Sequence, residues 1–372
     1  MKLTKGIDDM LNVSHYKHPD EFPIDVQQLF AIGEQESIES SVYWYRNLIN
    51  TVYPKDDGIN TYVLRKNGKP VAALPVRSIK TPFGQKVEAL SNYYTALYSP
   101  LLTNELAVSD MTILISAVKN AHVSTGIMTF SPMDPSAGSY RTLFLALQAN
   151  GLVAFKFFRF GNWYLQVQND WSTYLKNREG TIRSTIKRMH KKFLTDGGVL
   201  ELIQDATQLE RGIDAYQRVY ASSWKKPEPY PEFIPGLIRI CVNRGWLRLG
   251  IAWLNGQPIA AQLWIVANGK ANIYKLAYDE KYKSYASGTL LTAMLMEHAF
   301  EQDKVFEVDY LIGDDAYKKS WMSDRRERWG IIAYNPKAVA GMFGLCKEAI
   351  WRTLKPLLAR LRTASAASKV RT

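Results

Sequence analysis

Cysteine is nearly absent from this sequence, and what there is of it is unpatterned. The 372 residues hold two, Cys241 and Cys346, both in apolar surroundings and outside any C-x-x-C or Cys/His spacing. Such usage suits a reducing compartment and offers no structural zinc site, so no metal is expected. Long apolar runs are missing too. No stretch reaches 18 uninterrupted apolar residues, and Met1 to Asp9 contains no apolar leader core. Membrane spanning and secretion are therefore disfavoured, and a cytoplasmic location is expected. Neither a P-loop nor a Ser/His/Asp or Cys/His constellation is present, so the sequence offers no commanding catalytic set.

Negative charge is the remaining deficit, with 35 Asp/Glu against 47 Lys/Arg for a formal net charge of +12. The excess is concentrated in two places. One is Lys176 to Lys192, with Arg178, Arg183, Lys187, Arg188, Lys191 and Lys192; the other is Lys337 to Thr372, where eight Lys/Arg face only Glu348. An anionic partner is implied. The chain is otherwise that of a folded globular protein, 47% hydrophobic and 12% aromatic, and is long enough for two cores.

An internal repeat fixes how those cores divide. Lys66-Asn67-Gly68-Lys69-Pro70-Val71-Ala72-Ala73 is matched turn for turn by Leu254-Asn255-Gly256-Gln257-Pro258-Ile259-Ala260-Ala261. Each reads as a strand, a type I′ Asn-Gly turn and a second strand, with the proline at the strand entrance. A helical stretch precedes each copy, Ser41 to Val52 and Leu209 to Trp224, so the order α-β-β-β-α is expected twice. The expected divisions are 1–165, 166–336 and a basic amphipathic end at 337–372. In that end, Val339, Met342, Phe343, Cys346, Ile350, Leu354, Leu357 and Leu361 form a stripe that Pro356 kinks. Such a helix either docks on its own domain or lies on anionic lipid.

In the second copy a strand, Ala271 to Tyr278, passes through a polar loop into a helix from Gly288 to Phe300, and a further strand runs from Val305 to Leu311. A strand-to-helix junction turns free N–H groups and a positive dipole end toward one point, an arrangement suited to pyrophosphate. Ser287, Gly288 and Thr289 would line it, although the same three residues also read as a plain helix cap.

Ser223-Trp224-Lys225, the Leu254 to Ala261 hairpin, Lys275 to Tyr282, Tyr285-Ala-Ser-Gly288 and Asp309 to Trp321 together resemble the acetyltransferase domain of the CelD-like, cellulose-biosynthesis-associated family. That family is a GNAT branch akin to the Fem peptidyltransferases. The resemblance covers about Trp171 to Tyr334, with a weaker echo in the first half. It implies an α/β (α+β) chain of tandem GNAT-like domains, each with a mixed, mostly antiparallel sheet flanked by helices, the first degenerate. It further implies an acetyl-CoA or other acyl-CoA donor, and an amine or hydroxyl acceptor on a saccharide or lipid-linked saccharide of the cell envelope. One departure stands out. The usual Gln/Arg-x-x-Gly-x-Gly/Ala loop here reads Tyr285-Ala-Ser-Gly288-Thr-Leu290, so an aminoacyl-tRNA donor, as Fem-type relatives use, stays open beside CoA, as does a non-catalytic adaptor.

Within that frame the donor would be held by Leu276, Tyr278, Tyr285, Ser287, Gly288 and Thr289, with a backbone N–H near the end of the strand at Tyr278 for the oxyanion. Asp309 interrupts an apolar strand and is the first side-chain candidate for catalysis, or else a buried, satisfied carboxylate. Asp279 and Lys318 are the other two. Asp279 also reads as a turn residue. Trp224, Lys225, Asp314, Tyr317 and Trp321 are acceptor-side candidates, with core packing the alternative for the tryptophans. Arg183, Lys187 and Lys191 align on one helix face as a basic rail for a diphosphate, or as a solvated surface.

Overall fold

The computed structural model describes residues 11–103 and 107–353. In chain order the elements begin β1 (Leu11–Tyr16), α1 (Ile24–Glu36), α2 (Val42–Val52), β2 (Ile59–Lys66), β3 (Lys69–Thr81), β4 (Gly84–Ala89) and β5 (Leu101–Leu102). They continue with α3 (Val108–Ala121), β6 (Thr125–Met133), α4 (Gly138–Ala149), β7 (Val153–Gln166), α5 (Trp171–Lys176), α6 (Gly180–Thr195), β8 (Gly198–Ile203) and α7 (Leu209–Ser222). After these come α8 (Phe233–Asn243), β9 (Leu247–Leu254), β10 (Gln257–Ala267), β11 (Lys270–Tyr278), α9 (Ser287–Glu301), β12 (Glu307–Asp309), α10 (Ala316–Trp321) and β13 (Asp324–Tyr334). A last helix, α11, spans residues 339–353. Leu354, Pro356, Leu357 and Leu361 of the expected amphipathic end lie outside the described residues.

The chain forms two compact units, but not by one cut. The first takes the described residues up to Gly33, Asp56–Arg159 and those from Trp329 onward; the second takes Glu34–Lys55 and Phe160–Arg328. This differs from the expected divisions at 165 and 336 for two physical reasons. Helix α2, expected in the first half, packs on α8, where Asn47 donates a hydrogen bond to the Phe233 carbonyl. Strand β13 pairs with β6 through Trp329 to Tyr334, so its C-terminal half completes the first unit.

Within the first unit the strand order is β1-β2-β3-β4-β6-β13, with β5 on β3; within the second it is β7-β12-β11-β10-β9-β8. Both orders are mostly antiparallel. Each holds one parallel pair, β4 with β6 and β11 with β12, so each is the mixed sheet expected.

The repeated hairpin is the same object twice. Asn67 and Gly68 have φ of 51° and 79°, and Asn255 and Gly256 have 49° and 80°, the positive pair that a type I′ turn requires. Register matches as well. Lys66 faces Lys69, Arg65 faces Pro70 and Leu64 faces Ala72, while Leu254 faces Gln257, Trp253 faces Pro258 and Ala252 faces Ala260. Both copies skip the residue after the proline, Val71 or Ile259. A proline cannot donate to the ladder, and a bulge beside it accommodates the loss.

In the second unit, helices cover both faces of the sheet. A Cβ on Gly212 of α7 would meet Ile203 and Leu249 at 2.7 and 3.0 Å, whereas a Cβ on Gly250 would meet Leu295 and Leu291 of α9 at 3.0 and 3.3 Å. Adjacent strand residues point to opposite faces, so α7 and α9 lie on opposite sides. Helix α6 accompanies α9, with Phe193 fully buried against Leu290 and Leu291. Gln262, buried on the α9 side, donates to the Gly288 carbonyl (2.8 Å) and the Thr292 hydroxyl (2.9 Å) and accepts from the Trp264 indole (2.9 Å). That network fixes the start of α9 to the middle of β10.

Asp309 ends β12 in a buried cluster. Its carboxylate accepts from the Arg326 guanidinium, the Asn162 amide and, at 2.6 Å, the Leu311 N–H. Arg326 also pairs with buried Glu307 at 2.8 Å and lies over the Tyr164 ring. Removing the cation would strand two buried carboxylates, which typically costs about 3–5 kcal/mol. Arg326→Met is expected to lower the unfolding free energy of this unit by about that amount, measured by urea denaturation; a change within experimental error would show that the cluster is not a structural keystone.

Candidate functional site

Strands β11 and β12 are paired over only three residues each, Lys270–Asn272 with Glu307–Asp309. Beyond that the two strands part. On β11 a bulge falls at Tyr274, because Leu263 faces Lys275 and the next residue, Trp264, faces Ile273. On β12 the chain leaves toward β7, where the Tyr310 N–H donates to the Trp163 carbonyl, and Leu311 turns it with φ 53°. A gap opens between Ile273–Tyr278 and the segment 310–313. Among the described residues the β11–β12 pairing stops at Asn272 and Asp309, so alternate N–H groups of the following stretch of β11 face the gap.

At the end of this gap, on the α9 side, lies the N-terminus of α9. Ala286 is left-handed (φ 51°, ψ 35°) and is followed directly by the helix, an arrangement that gathers successive N–H groups into an anion-binding concavity. The first helical backbone bond is donated by Leu290 to the Ala286 carbonyl. Among the described residues no backbone carbonyl accepts from Ser287, Gly288 or Thr289, as expected for a first turn. No acidic side chain sits in that turn, and no side chain caps it. The Ser287 hydroxyl is buried without a hydrogen-bond partner. A Cβ on Gly288 would meet only the Tyr278 ring, at 3.7 Å, so packing within the protein does not demand glycine there. The concavity, the orphaned hydroxyl and the bare glycine together fit a pyrophosphate.

The corresponding helix of the first unit is closed to such a ligand. There the Asp110 carboxylate accepts from the Ala107 N–H at the start of α3, placing a negative charge where a phosphate would sit. The connection from β4 to α3 also takes residues 90–107, against 279–286 in the second unit.

On the α7 side of the gap the loop after α7 brings in Trp224 and Lys225. Trp224 is half exposed and lies 4.6 Å, ring to ring, from Tyr278. The Lys225 ammonium sits over the rings of Tyr220 and Trp224, 5.7 Å from each. It has no salt bridge of its own among the described residues. Burial, with Lys275 and Lys318 nearby, pushes its pKa down to about 8, although Glu228 and Asp315 oppose the shift. Lys275, on β11, pairs with Glu228 at 3.0 Å. Lys318, buried on α10, donates to the carbonyls of Ile312 (2.5 Å) and Gly313 (3.3 Å) and pairs with Asp315 at 3.2 Å. Desolvation holds its pKa below the usual lysine value as well.

The other expected site residues fall as follows. Leu276 and Tyr278 are on the gap-facing stretch of β11. Tyr285 donates its hydroxyl to Asp196 at 2.9 Å, under the Lys192 ammonium. Tyr317 is half exposed, edge-on to buried Tyr310. Asp279 accepts from the Lys281 N–H at 3.0 Å and caps the short 3-10 turn Glu280–Tyr285, so it serves as the turn residue. Both carboxylate oxygens of Asp309 are hydrogen-bonded within the buried Arg326 cluster, the arrangement of a buried, satisfied carboxylate. Asp314 forms a two-pronged pair with Arg325. Trp321 is buried, and its carbonyl accepts from the Tyr174 hydroxyl; core packing is its role.

Arg183 and Lys187 are on the exposed face of α6, with Arg183 donating to the Lys176 carbonyl. Phe193, near the end of α6, is the residue that meets Tyr285. At 1.5 Å per residue Arg183 lies about 15 Å and Lys187 about 9 Å back along that helix. The basic residue beside the cradle is Lys192. Lys275, Glu228 and Lys192 were not expected as site residues from the sequence; Lys192 was noted there only within the basic segment and Lys275 only within a motif block.

Comparison with known proteins agrees with this geometry. Residues 180–319 match the Acetyltransferase (GNAT) domain family. No curated protein matches the sequence. Among solved structures, FemX is similar at 11% identity, over 86% of this chain and 97% of that one, with a TM-score of 0.61. A C-terminal DUF2156 domain, assigned to a lysylphosphatidylglycerol synthetase of Agrobacterium fabrum, is similar at 14% identity, over 88% and 97%, with a TM-score of 0.52. A tandem GNAT protein from the clavulanic acid biosynthesis pathway gives 12% identity, 87% and 98% coverage and 0.49. The chain therefore has a GNAT acetyltransferase fold, a kind of domain that generally uses acyl-CoA.

Proposed function

We propose that this chain is a GNAT-type acyltransferase moving an acyl group, acetyl in the first instance, from acyl-CoA to an amine or hydroxyl of a polysaccharide or cell-envelope precursor. The observation that carries this reading is the uncapped, acid-free start of α9 beside the gap between β11 and β12. The resemblance to the CelD-like family supplies the envelope context.

Bound acyl-CoA would supply an activated thioester. The N–H groups of Ser287, Gly288 and Thr289 would hold its pyrophosphate, with Lys192 adding charge from the side. A gap-facing N–H of β11, between Leu276 and Tyr278, would donate to the oxyanion as the acceptor's nitrogen or oxygen bonds to the acyl carbon and the C–S bond breaks, with the acceptor's proton ending on the departing sulfur so that free CoA thiol leaves. The donor would then approach from the α9 face and the acceptor from the α7 face, past Trp224 and Lys225.

The acceptor side has a charge preference. Lys225, Lys275 and Lys318 stand against Glu228 and Asp315, one positive charge in excess, and Lys225 is the ammonium without a salt bridge of its own. An acceptor carrying a phosphate or carboxylate near its reactive group would complete that balance.

A second reading is favoured by the likeness to FemX: an aminoacyl-tRNA donor in place of CoA. The two separate cleanly by calorimetry. Acetyl-CoA is expected to bind and to raise the melting temperature, and Gly288→Trp, which fills the cradle while leaving the protein folded, is expected to abolish both effects. Binding of tRNA that weakens steeply with salt, with CoA inert, would replace the donor.

The acceptor KM is expected to climb as pH rises beyond about 8, because the Lys225 ammonium loses its proton there. Lys225→Met should raise that KM by about tenfold or more with little change in kcat, and should flatten the pH dependence. The same variant should be slightly more stable at neutral pH, since the charged lysine is disfavoured by burial. An unchanged KM would remove Lys225 from acceptor recognition.

A further inference from the structure

Helix α11 sits on its unit the wrong way round for an ordinary surface helix. It packs through its smallest residues. A Cβ on Gly341 would meet the Asn335 carbonyl oxygen at 2.0 Å, one on Gly344 would meet the Tyr334 ring at 2.4 Å, and Ala340 lies so close to Gly126 that a Cβ there would be 2.6 Å away. Glu348 faces the same side, within 3.5 Å of the Tyr334 hydroxyl. The large apolar side chains point elsewhere. At about 100° per residue, Val339, Met342, Phe343, Cys346 and Ile350 fall within one sector about 100° wide, opposite the glycines. Their exposure is 70% for Val339, 57% for Met342, 71% for Phe343 and 58% for Ile350, and Cys346 is exposed too.

An apolar stripe of three turns costs solvation free energy unless something covers it. Its surroundings indicate what does. Lys337 and Lys347 are exposed beside the stripe. Arg352 and Glu348 neutralise one another at 2.9 Å, and Glu348 is the one acidic residue among the eight Lys/Arg from Lys337 to Thr372. A second copy seated on this face would bring two such basic ends together. An anionic lipid surface meets both demands, with the stripe at the acyl boundary and the lysines among lipid phosphates.

We infer that α11 is an interfacial helix that seats this protein on an anionic membrane through Val339, Met342, Phe343 and Ile350. The two cysteines make this directly testable, since Cys241 is fully buried and Cys346 is exposed in the middle of the stripe, so a polarity-sensitive thiol probe on the whole folded chain reports from Cys346. With phosphatidylcholine vesicles containing phosphatidylglycerol, the expected result is a blue shift and co-sedimentation that weaken with salt; pure phosphatidylcholine should give neither. Met342→Asp with Phe343→Asp alters only exposed positions and should cut partitioning by about tenfold or more, with the melting temperature unchanged. No partitioning into anionic vesicles, or equal partitioning by the double variant, would overturn the inference. So would a lipid-free dimer, seen by sedimentation velocity, that the double variant dissolves.

Discussion

The three-residue pairing of β11 with β12 is the constraint on which the site depends. Had the parallel ladder continued past Asn272 and Asp309, every N–H of β11 would be spent inside the sheet and no room would remain between the strands. Two devices end it. The bulge at Tyr274 turns β11 aside, and the Asp309 carboxylate reaches forward to the Leu311 N–H while Arg326 and Asn162 hold it from the other side. A carboxylate that interrupts an apolar strand is thus used as an anchor rather than as a base. Its burial is tolerable because each oxygen is paired, and it leaves unpaired N–H groups next door, where they face a gap and not the core.

The duplicated architecture shows how one supersecondary plan can keep or lose a ligand site. The two hairpins agree in turn type, register and bulge, and both units contain one parallel strand pair. They differ at the junction that follows. In the second unit a short loop delivers a left-handed Ala286 and an acid-free helix start. In the first, a longer connection ends in a helix whose start is already satisfied by Asp110. The sheet is the same either way, while the helix start is free of acidic side chains in one unit and satisfied by a carboxylate in the other.

Polar groups around the gap divide by partner. Gln262 is saturated by Gly288, Thr292 and Trp264 and holds the helix start in place. Lys318 is held by two carbonyls and Asp315, which makes it rigid. Lys225 makes no salt bridge among the described residues and rests on the Tyr220 and Trp224 rings, and burial pushes its pKa down to about 8.

Sequence alone was enough for the repeat, the type I′ turns, the helices flanking each hairpin and the strand-to-helix junction at Ser287 to Thr289. Each of these is local: Asn-Gly dictates a positive φ pair, and apolar periodicity dictates a helix. It also singled out Trp224-Lys225, expected on the acceptor side, through a motif. Tertiary structure decided the rest. It assigned α2 to the second unit and the end of β13 to the first, set Asp309 and Asp279 to structural duty, and showed Lys275 and Glu228 beside Lys225. It also turned the apolar stripe of α11 outward. None of this can be read from spacing, because whether a carboxylate is free, a lysine is paired or an apolar face is covered depends on residues that only the fold brings together, as it brings Asn162 to Asp309.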